Sequence, residues 1–157
     1  MDPAHDITLT VNGTQVSRRV AARQHLVDFL RDELGLNGSH IGCEHGVCGA
    51  CTVRVDGAIV RGCLMLAVQA NGCKVETIEG LSDSKELSVL QRAFHQRNAL
   101  QCGFCTPGML MAAQDLINKG LKPGREEIRE HISGNYCRCT GYQAIVDAIE
   151  DVINGQG

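Results

Sequence analysis

The sequence predicts an α+β protein in two parts: strands around one helix over residues 1–80, then helices alone over residues 81–157. Two observations predict it. Apolar residues alternate in the first half and recur at helical spacing in the second. The nine cysteines also divide into groups that fall in separate halves. A chain of 157 residues has room for one ordinary domain or two small ones. Small domains bury a modest share of their surface and commonly need a covalent or metal staple. Only five side chains are aromatic, Phe29, Phe94, Phe104, Tyr136 and Tyr142, and Trp is absent. With so few rings for a core, cysteine is the outstanding feature of the composition.

Ile7, Leu9 and Val11 alternate with Thr8, Thr10 and Asn12, the period of a half-buried strand. Asn12-Gly13 suits the positive φ angles of a tight hairpin, which returns Thr14 to Val20 beside the first strand. From His25 to Leu34 the period changes. Leu26, Phe29, Leu30 and Leu34 share one helical face, and Gly35 is placed to cap it. Thr52 to Val55 and Ala58 to Arg61 flank Asp56-Gly57, a second hairpin signal, and Lys74 to Ile78 offers a last strand. The polar, turn-prone stretch from Gly80 to Lys85 marks the domain boundary. Beyond it, Leu87, Leu90 and Phe94 stripe a first helix. Thr106 is read as the N-cap before Pro107, opening a second helix from Gly108 to Lys119 that Gly120 and Pro123 close. Arg125 to Ile132 forms a third. Thr140 caps a fourth, with Ile145, Ile149 and Val152 on its buried face.

Charge and pattern exclude several functions. Net charge is −3 without a basic stripe, so no nucleic-acid partner is expected. No apolar run approaches the roughly 20 residues that span a bilayer, so no membrane insertion is expected. Ser17-Arg18-Arg19 has the look of a twin-arginine signal, but Val-Ala-Ala-Arg-Gln-His follows instead of an apolar core. The two arginines read as solvated positions on a strand. The expected location is the cytoplasm, where thiols stay reduced and cysteine clusters bind metals in preference to forming disulfides. Phosphate-cradling glycine motifs are lacking, and no histidine has a visible nucleophile partner, so no catalytic residue is assigned.

Cys43-x4-Cys48-x2-Cys51, with Cys63 further on, matches the spacing of plant-type 2Fe–2S ferredoxins. Three thiolates on one loop must curl around a cluster that carries inorganic sulfide. Gly42, Gly46 and Gly49 let the loop turn its N–H groups inward, stabilising a negative cluster. A zinc site is the competing reading, but zinc ribbons pair two Cys-x2-Cys units and the first half has only one. Cys43-Glu-His45 resembles half a Rieske centre; the Cys-x-x-His partner is missing, which leaves His45 as a loop residue.

Cys102-x2-Cys105 precedes the proline-initiated helix and Cys137-x-Cys139 precedes the last one. Helix N-termini favour anions and lower thiol pKa values. Two antiparallel helices starting side by side would bring these four thiolates together, with Gly103 and Gly134 keeping the loops tight. Taken alone, this pair of pairs is not specific, because zinc fits it too. Beside a ferredoxin motif in the same chain, a second 2Fe–2S cluster is the better reading. Cys73 remains, read as a partly buried structural thiol at a strand edge.

The motifs Cys-Glu-His-Gly-Val-Cys-Gly-Ala-Cys, Gln-Cys-Gly-Phe-Cys-Thr-Pro-Gly and Asn-Tyr-Cys-Arg-Cys-Thr-Gly-Tyr carry a further likeness. From Ile7 to Val152 the chain resembles the small iron–sulfur subunit of the molybdenum hydroxylases, the xanthine oxidase family, in its separate-subunit bacterial type. All eight ligand positions are present. The resemblance implies a β-grasp, plant-type ferredoxin domain followed by an all-α four-helix 2Fe–2S-binding domain. It implies a large molybdopterin subunit, the pterin in its cytosine dinucleotide form, and a medium FAD subunit, joined with this chain in a heterotrimer or its dimer. Electrons would pass from molybdenum through the helical-domain cluster, then the ferredoxin-domain cluster, to FAD. By the same likeness Gln101 hydrogen-bonds the pterin and Cys139 is the ligand nearest it. Without the resemblance, Gln101 reads as a polar loop residue bonded to nearby backbone. Two rival functions remain, a diffusible ferredoxin-like carrier and a zinc-stabilised interaction module.

Overall fold

The computed structural model describes residues 3–82 and 87–155. Part of the expected boundary segment, residues 83–85, lies outside the described residues.

Strand β1 (Ala4–Val11) buries Ile7, Leu9 and Val11 on one face and turns at Asn12-Gly13, both at positive φ, into β2 (Thr14–Ala21). Arg18 and Arg19 stand exposed on β2, as solvated strand positions should. Helix α1 (Leu26–Asp28) continues directly into a π-helical turn, Phe29–Glu33, and Gly35 ends it with a left-handed φ and an N–H bonded to the Arg31 carbonyl. The hairpin β3 (Thr52–Val55) and β4 (Ala58–Arg61) turns at Asp56-Gly57, and β5 (Lys74–Glu76) completes a five-stranded sheet in the order β2-β1-β5-β3-β4. β1 and β5 are parallel and the other pairings antiparallel. Leu26, Phe29 and Leu30 press from the helix onto Leu9, Val53 and Val75 of the sheet, forming one of the cores.

β5 is shorter than the sequence suggests. Asn12 at the tip of the first hairpin accepts the Thr77 N–H through Oδ1 at 2.9 Å and donates from Nδ2 to the Thr77 hydroxyl at 2.9 Å. That clamp diverts the chain from the sheet, and Ile78–Gly80 coils into a 3₁₀ turn whose Ile78 packs against the helical core.

The second half supplies α2 (Val89–Gln96), α3 (Thr106–Asn118), α4 (Arg125–Ile132) and α5 (Gln143–Ile153). α2 buries Leu90 and Phe94 as expected, but Leu87 lies before the helix and is 52 % exposed. The cap is Ser88, whose hydroxyl accepts the Gln91 N–H while Gln91 Oε1 accepts the Ser88 N–H. Two other expected caps are corrected. Thr106 is the first residue of α3, not its cap, because Cys105 is already in helical φ/ψ at the N-cap position and leaves no extended residue to aim a hydroxyl at the first turn. Thr140 does not cap α5 because Gly141 and Tyr142 both take left-handed φ and carry the chain onward before the helix starts. Ile145 and Ile149 are buried on α5, with Val152 half-buried at the edge.

α5 packs chiefly on α2 and α4, while α3 lies against α4 and also against β3 and β4. Arg97, the C-cap of α2, grips Asp151 of α5 through two hydrogen bonds of 2.6 and 2.8 Å, and Arg125 of α4 reaches Asp147 at 2.7 Å and Glu150. Among the described residues no helix is long and apolar enough to cross a membrane.

Candidate metal centres

The first cysteine group is built by the loop between α1 and β3, carrying Cys43, Cys48 and Cys51, and by the turn after β4, carrying Cys63. Cys51 and Cys63 are buried, packed with Val27 and Ile41, while Cys43 and Cys48 are half-buried. The loop does turn N–H groups toward sulfur. The Cys48 N–H points at Cys43 Sγ, 3.4 Å away, and the Ala50 N–H at Cys48 Sγ, 3.5 Å away. Gly49 sits at φ +75°, and any Cβ there would lie 2.6 Å from both the Gly134 carbonyl and the Asn135 amide. His45 stays exposed on the loop. His25 sets its ring nitrogen Nδ1 against the Cys63 carbonyl and braces the fourth position.

In the second group Cys105 closes one loop at the start of α3, and Cys137 and Cys139 lie on the loop that leads into α5. The bodies of α3 and α5 are linked through α4 more than by direct packing, yet their starting ends converge at the sulfurs. Cys102 and Cys139 are exposed and Cys105 and Cys137 half-buried. The Thr140 hydroxyl donates to Cys137 Sγ at 3.1 Å, and the Cys137 N–H donates to the Tyr142 hydroxyl at 2.9 Å. Gln101 donates from Nε2 to the Cys139 carbonyl at 3.0 Å, tying one cysteine loop to the other.

Within each group the thiols are neighbours: Cys43 lies beside Cys48, Cys51 beside Cys63 and Cys48, Cys105 beside Cys137 and Cys102, and the Cys102 and Cys139 sulfurs are 3.5 Å apart. Among the described residues no three His, Cys, Asp or Glu side chains close on a single ion. Electrostatics divides the thiols. The Cys48 N–H, followed by that of His45, lowers the Cys43 thiol to about 6. Burial, with Cys63 beside it, pushes Cys51 up to about 11. Burial, then the neighbouring sulfurs, pushes Cys105 up to about 12, the reverse of the lowering expected at a helix N-terminus. Cys137 ends lower than usual: burial raises it, but hydrogen bonds from the Thr140 hydroxyl and N–H, from Cys105 and from the Cys139 N–H together outweigh burial. Crowded, partly buried thiols of this kind become thiolates when metal cations supply the compensating charge. The donor set, all sulfur with inward N–H and O–H groups, fits a cluster of iron and sulfide.

The two groups meet. The Tyr136 N–H donates to the Cys48 carbonyl at 2.8 Å, Asn135 Nδ2 reaches the Gly49 carbonyl and Thr52 hydroxyl at 3.1 and 3.2 Å, and Arg61 donates to the Gly134 carbonyl at 2.7 Å. The His40 ring stacks on Phe104 with centroids 4.7 Å apart, and its Nδ1 lies 2.8 Å from the Phe104 carbonyl. The sequence pointed to none of the contacts made by Asn135, Arg61 and His40 across the junction, and it read Thr140 as a helix cap, not as a donor to sulfur. Their adjacency to cysteine motifs was the available signal, but their partners lie far away in the chain. Cys73 is half-buried just before β5, with burial and the Asp56 carboxylate raising its thiol pKa.

Residues 9–71 match the family described as 2Fe-2S iron-sulfur cluster binding domain, and residues 77–150 match that described as 2Fe-2S binding domain. The chain is 55 % identical to the caffeine dehydrogenase subunit gamma of Pseudomonas sp. (strain CBB1), over 95 % of this chain and 91 % of that one. It is 53 % identical to the nicotine 6-hydroxylase small subunit of Paenarthrobacter nicotinovorans, over 93 % and 88 %. Among solved structures, quinoline 2-oxidoreductase from Pseudomonas putida 86 superposes with a TM-score of 0.93 at 52 % identity, covering 96 % of this chain and 93 % of that chain. Similar along nearly its whole length to subunits of such oxidoreductases, and carrying both 2Fe–2S-binding domains, this chain belongs to the molybdenum hydroxylase family as one of its small iron–sulfur subunits.

Proposed function

We propose that this chain relays electrons from a molybdopterin centre on a large partner subunit to FAD on a medium one, entering at the helical domain and leaving from the ferredoxin-like domain. In this reading Cys43, Cys48, Cys51 and Cys63 hold one 2Fe–2S cluster and Cys102, Cys105, Cys137 and Cys139 the other. A 2Fe–2S cluster takes up and gives back single electrons. The protein's part is to hold the thiolates, insulate them and join the two sites.

The observation that carries the reading is the join. Tyr136 is bonded covalently to Cys137, and its N–H donates to the carbonyl of Cys48. One hydrogen bond of 2.8 Å therefore links a proposed ligand of one site to a proposed ligand of the other. The exposed Cys102 and Cys139 support entry at the helical domain. Gln101 is held by the Cys139 carbonyl and remains exposed, which suits a side chain that also meets the pterin. The division at residue 80, the cytosine dinucleotide form of the pterin, the heterotrimer or its dimer, and the cytoplasmic location belong to the same proposal. Caffeine, nicotine and quinoline in the relatives' names are nitrogen heterocycles, so the partner's substrate is proposed to be one as well.

Rapid-freeze EPR of the native complex tests the route. On mixing with substrate, the signal lost in Cys105→Ser is expected to rise before the signal lost in Cys48→Ser, and neither variant should reduce FAD at a normal rate. Normal FAD reduction in Cys105→Ser would sink the proposal.

A further inference from the structure

Each cysteine loop of the helical domain ends in the same dipeptide: Cys105-Thr106 at the start of α3, and Cys139-Thr140 ahead of α5. The two threonines are in contrasting states. The Thr140 hydroxyl has found sulfur, donating to Cys137 Sγ at 3.1 Å and accepting the Tyr142 N–H at 3.2 Å. The Thr106 hydroxyl is buried and has no hydrogen-bond partner among the described residues. A buried hydroxyl without a partner costs folding free energy, and native proteins rarely leave one so. Thr106 is not serving as a helix cap, since Cys105 occupies that position. Its residue adjoins a cysteine whose thiol is itself partly buried.

We infer that Thr106 and Thr140 form a pair of hydroxyl donors to the sulfur atoms of the helical-domain cluster, Thr140 to the Cys137 thiolate and Thr106 to a cluster or ligand sulfur, and that they set its reduction potential. The inference rests on the proposed 2Fe–2S site at Cys102, Cys105, Cys137 and Cys139. A hydrogen bond to sulfur stabilises the more negative, reduced form, so each hydroxyl raises the potential. Raising it favours electron entry from the molybdenum side. Both residues act through the cluster and are therefore positioning and tuning groups.

The test is a redox titration of the native complex followed by EPR, which reads both clusters separately. Thr140→Val and Thr106→Val should each shift the helical-domain midpoint to lower potential, with a larger shift in the double variant. Thr→Ser at either position should restore it, and the ferredoxin-domain midpoint should not move. Unchanged midpoints with the cluster intact would overturn the inference. Should the valine variants load poorly, pulsed ENDOR on the unsubstituted complex moved from H₂O to D₂O replaces them. Exchangeable protons strongly coupled to the helical-domain cluster are expected, and finding none would also overturn it. Absence of iron from the unsubstituted chain would instead overturn the underlying site assignment.

Discussion

In the ferredoxin-like half two thiols of the cysteine group, Cys51 and Cys63, are 2 % and 1 % exposed, whereas in the helical half Cys102 and Cys139 stand open at the surface. The difference follows from how each site is made. The first is a single loop laid on a sheet, with its last cysteine delivered by the turn after β4, so that half of it sinks into the interface between Val27 and Ile41. The second is assembled from loops that open two helices, and helix openings lie at a domain's surface. The sheet-borne site is insulated on its inner side, while the helix-borne site offers sulfur to whatever docks beside it. Burial and exposure of this kind also tune cluster potentials, which span roughly −700 to +450 mV across known proteins. One chain thus holds both a protected group of four cysteines and an open one, because the scaffold beneath each differs.

The sharpest way to break the comparison is to remove one thiol from each group. Cys51→Ser and Cys105→Ser should each abolish one cluster and spare the other, halving the iron measured per chain. Loss of both from a single substitution would mean the sites are not independent. The next largest effect is expected in the cores. Phe94 is 1 % exposed in the helical core and Phe29 is fully buried in the sheet core, so either changed to Ala should cost about 3–5 kcal/mol. Denaturant titration with probes in each half will show whether the damage stays local.

At the junction the expected effects are smaller. A Cβ on Gly108 would lie 2.2 Å from the Gly49 carbonyl, a backbone atom that cannot swing aside. Gly108→Ala should therefore push α3 off the first loop at a cost of about 1–3 kcal/mol, read as lowered thermal stability together with slower electron transfer between the sites. Asn135→Ala leaves the Gly49 carbonyl and Thr52 hydroxyl without its amide and should cost on the order of 1–3 kcal/mol. The least effect belongs to Asp151, whose carboxyl the Arg97 guanidinium holds below its ordinary range. A lowered folded-state pKa adds stability that is complete above the unfolded value of about 3.9 and vanishes as pH falls through the folded one. Asp151→Asn should remove that small contribution at neutral pH and flatten the acid limb of the stability curve below about pH 4, so that the two proteins converge in stability at low pH.

The elements with local signals were legible in the sequence. Asn12-Gly13 and Asp56-Gly57 carry the hairpins, alternation marks β1, and Arg125–Ile132 coincides with α4 from end to end. What escaped depends on distant partners. β5 stops early because Asn12, 65 residues upstream, captures Thr77. The Thr106 and Thr140 caps fail because the cysteine loops have already set the backbone on either side. Spacing alone suggests the two groups of four cysteines, but the contact of Cys102 with Cys139 across two loops, and the hydrogen bond between the groups, could not be read from it. The first depends on how the loops before α3 and α5 converge, the second on how the helical half seats against the first cysteine loop.

Iron and acid-labile sulfide analysis of the purified native complex, together with its subunit composition, tests the central claim most directly. Two 2Fe–2S sites predict four irons and four sulfides per copy of this chain, alongside larger chains that bear molybdenum and FAD. Zinc in place of iron, or a chain that purifies alone, would contradict the account.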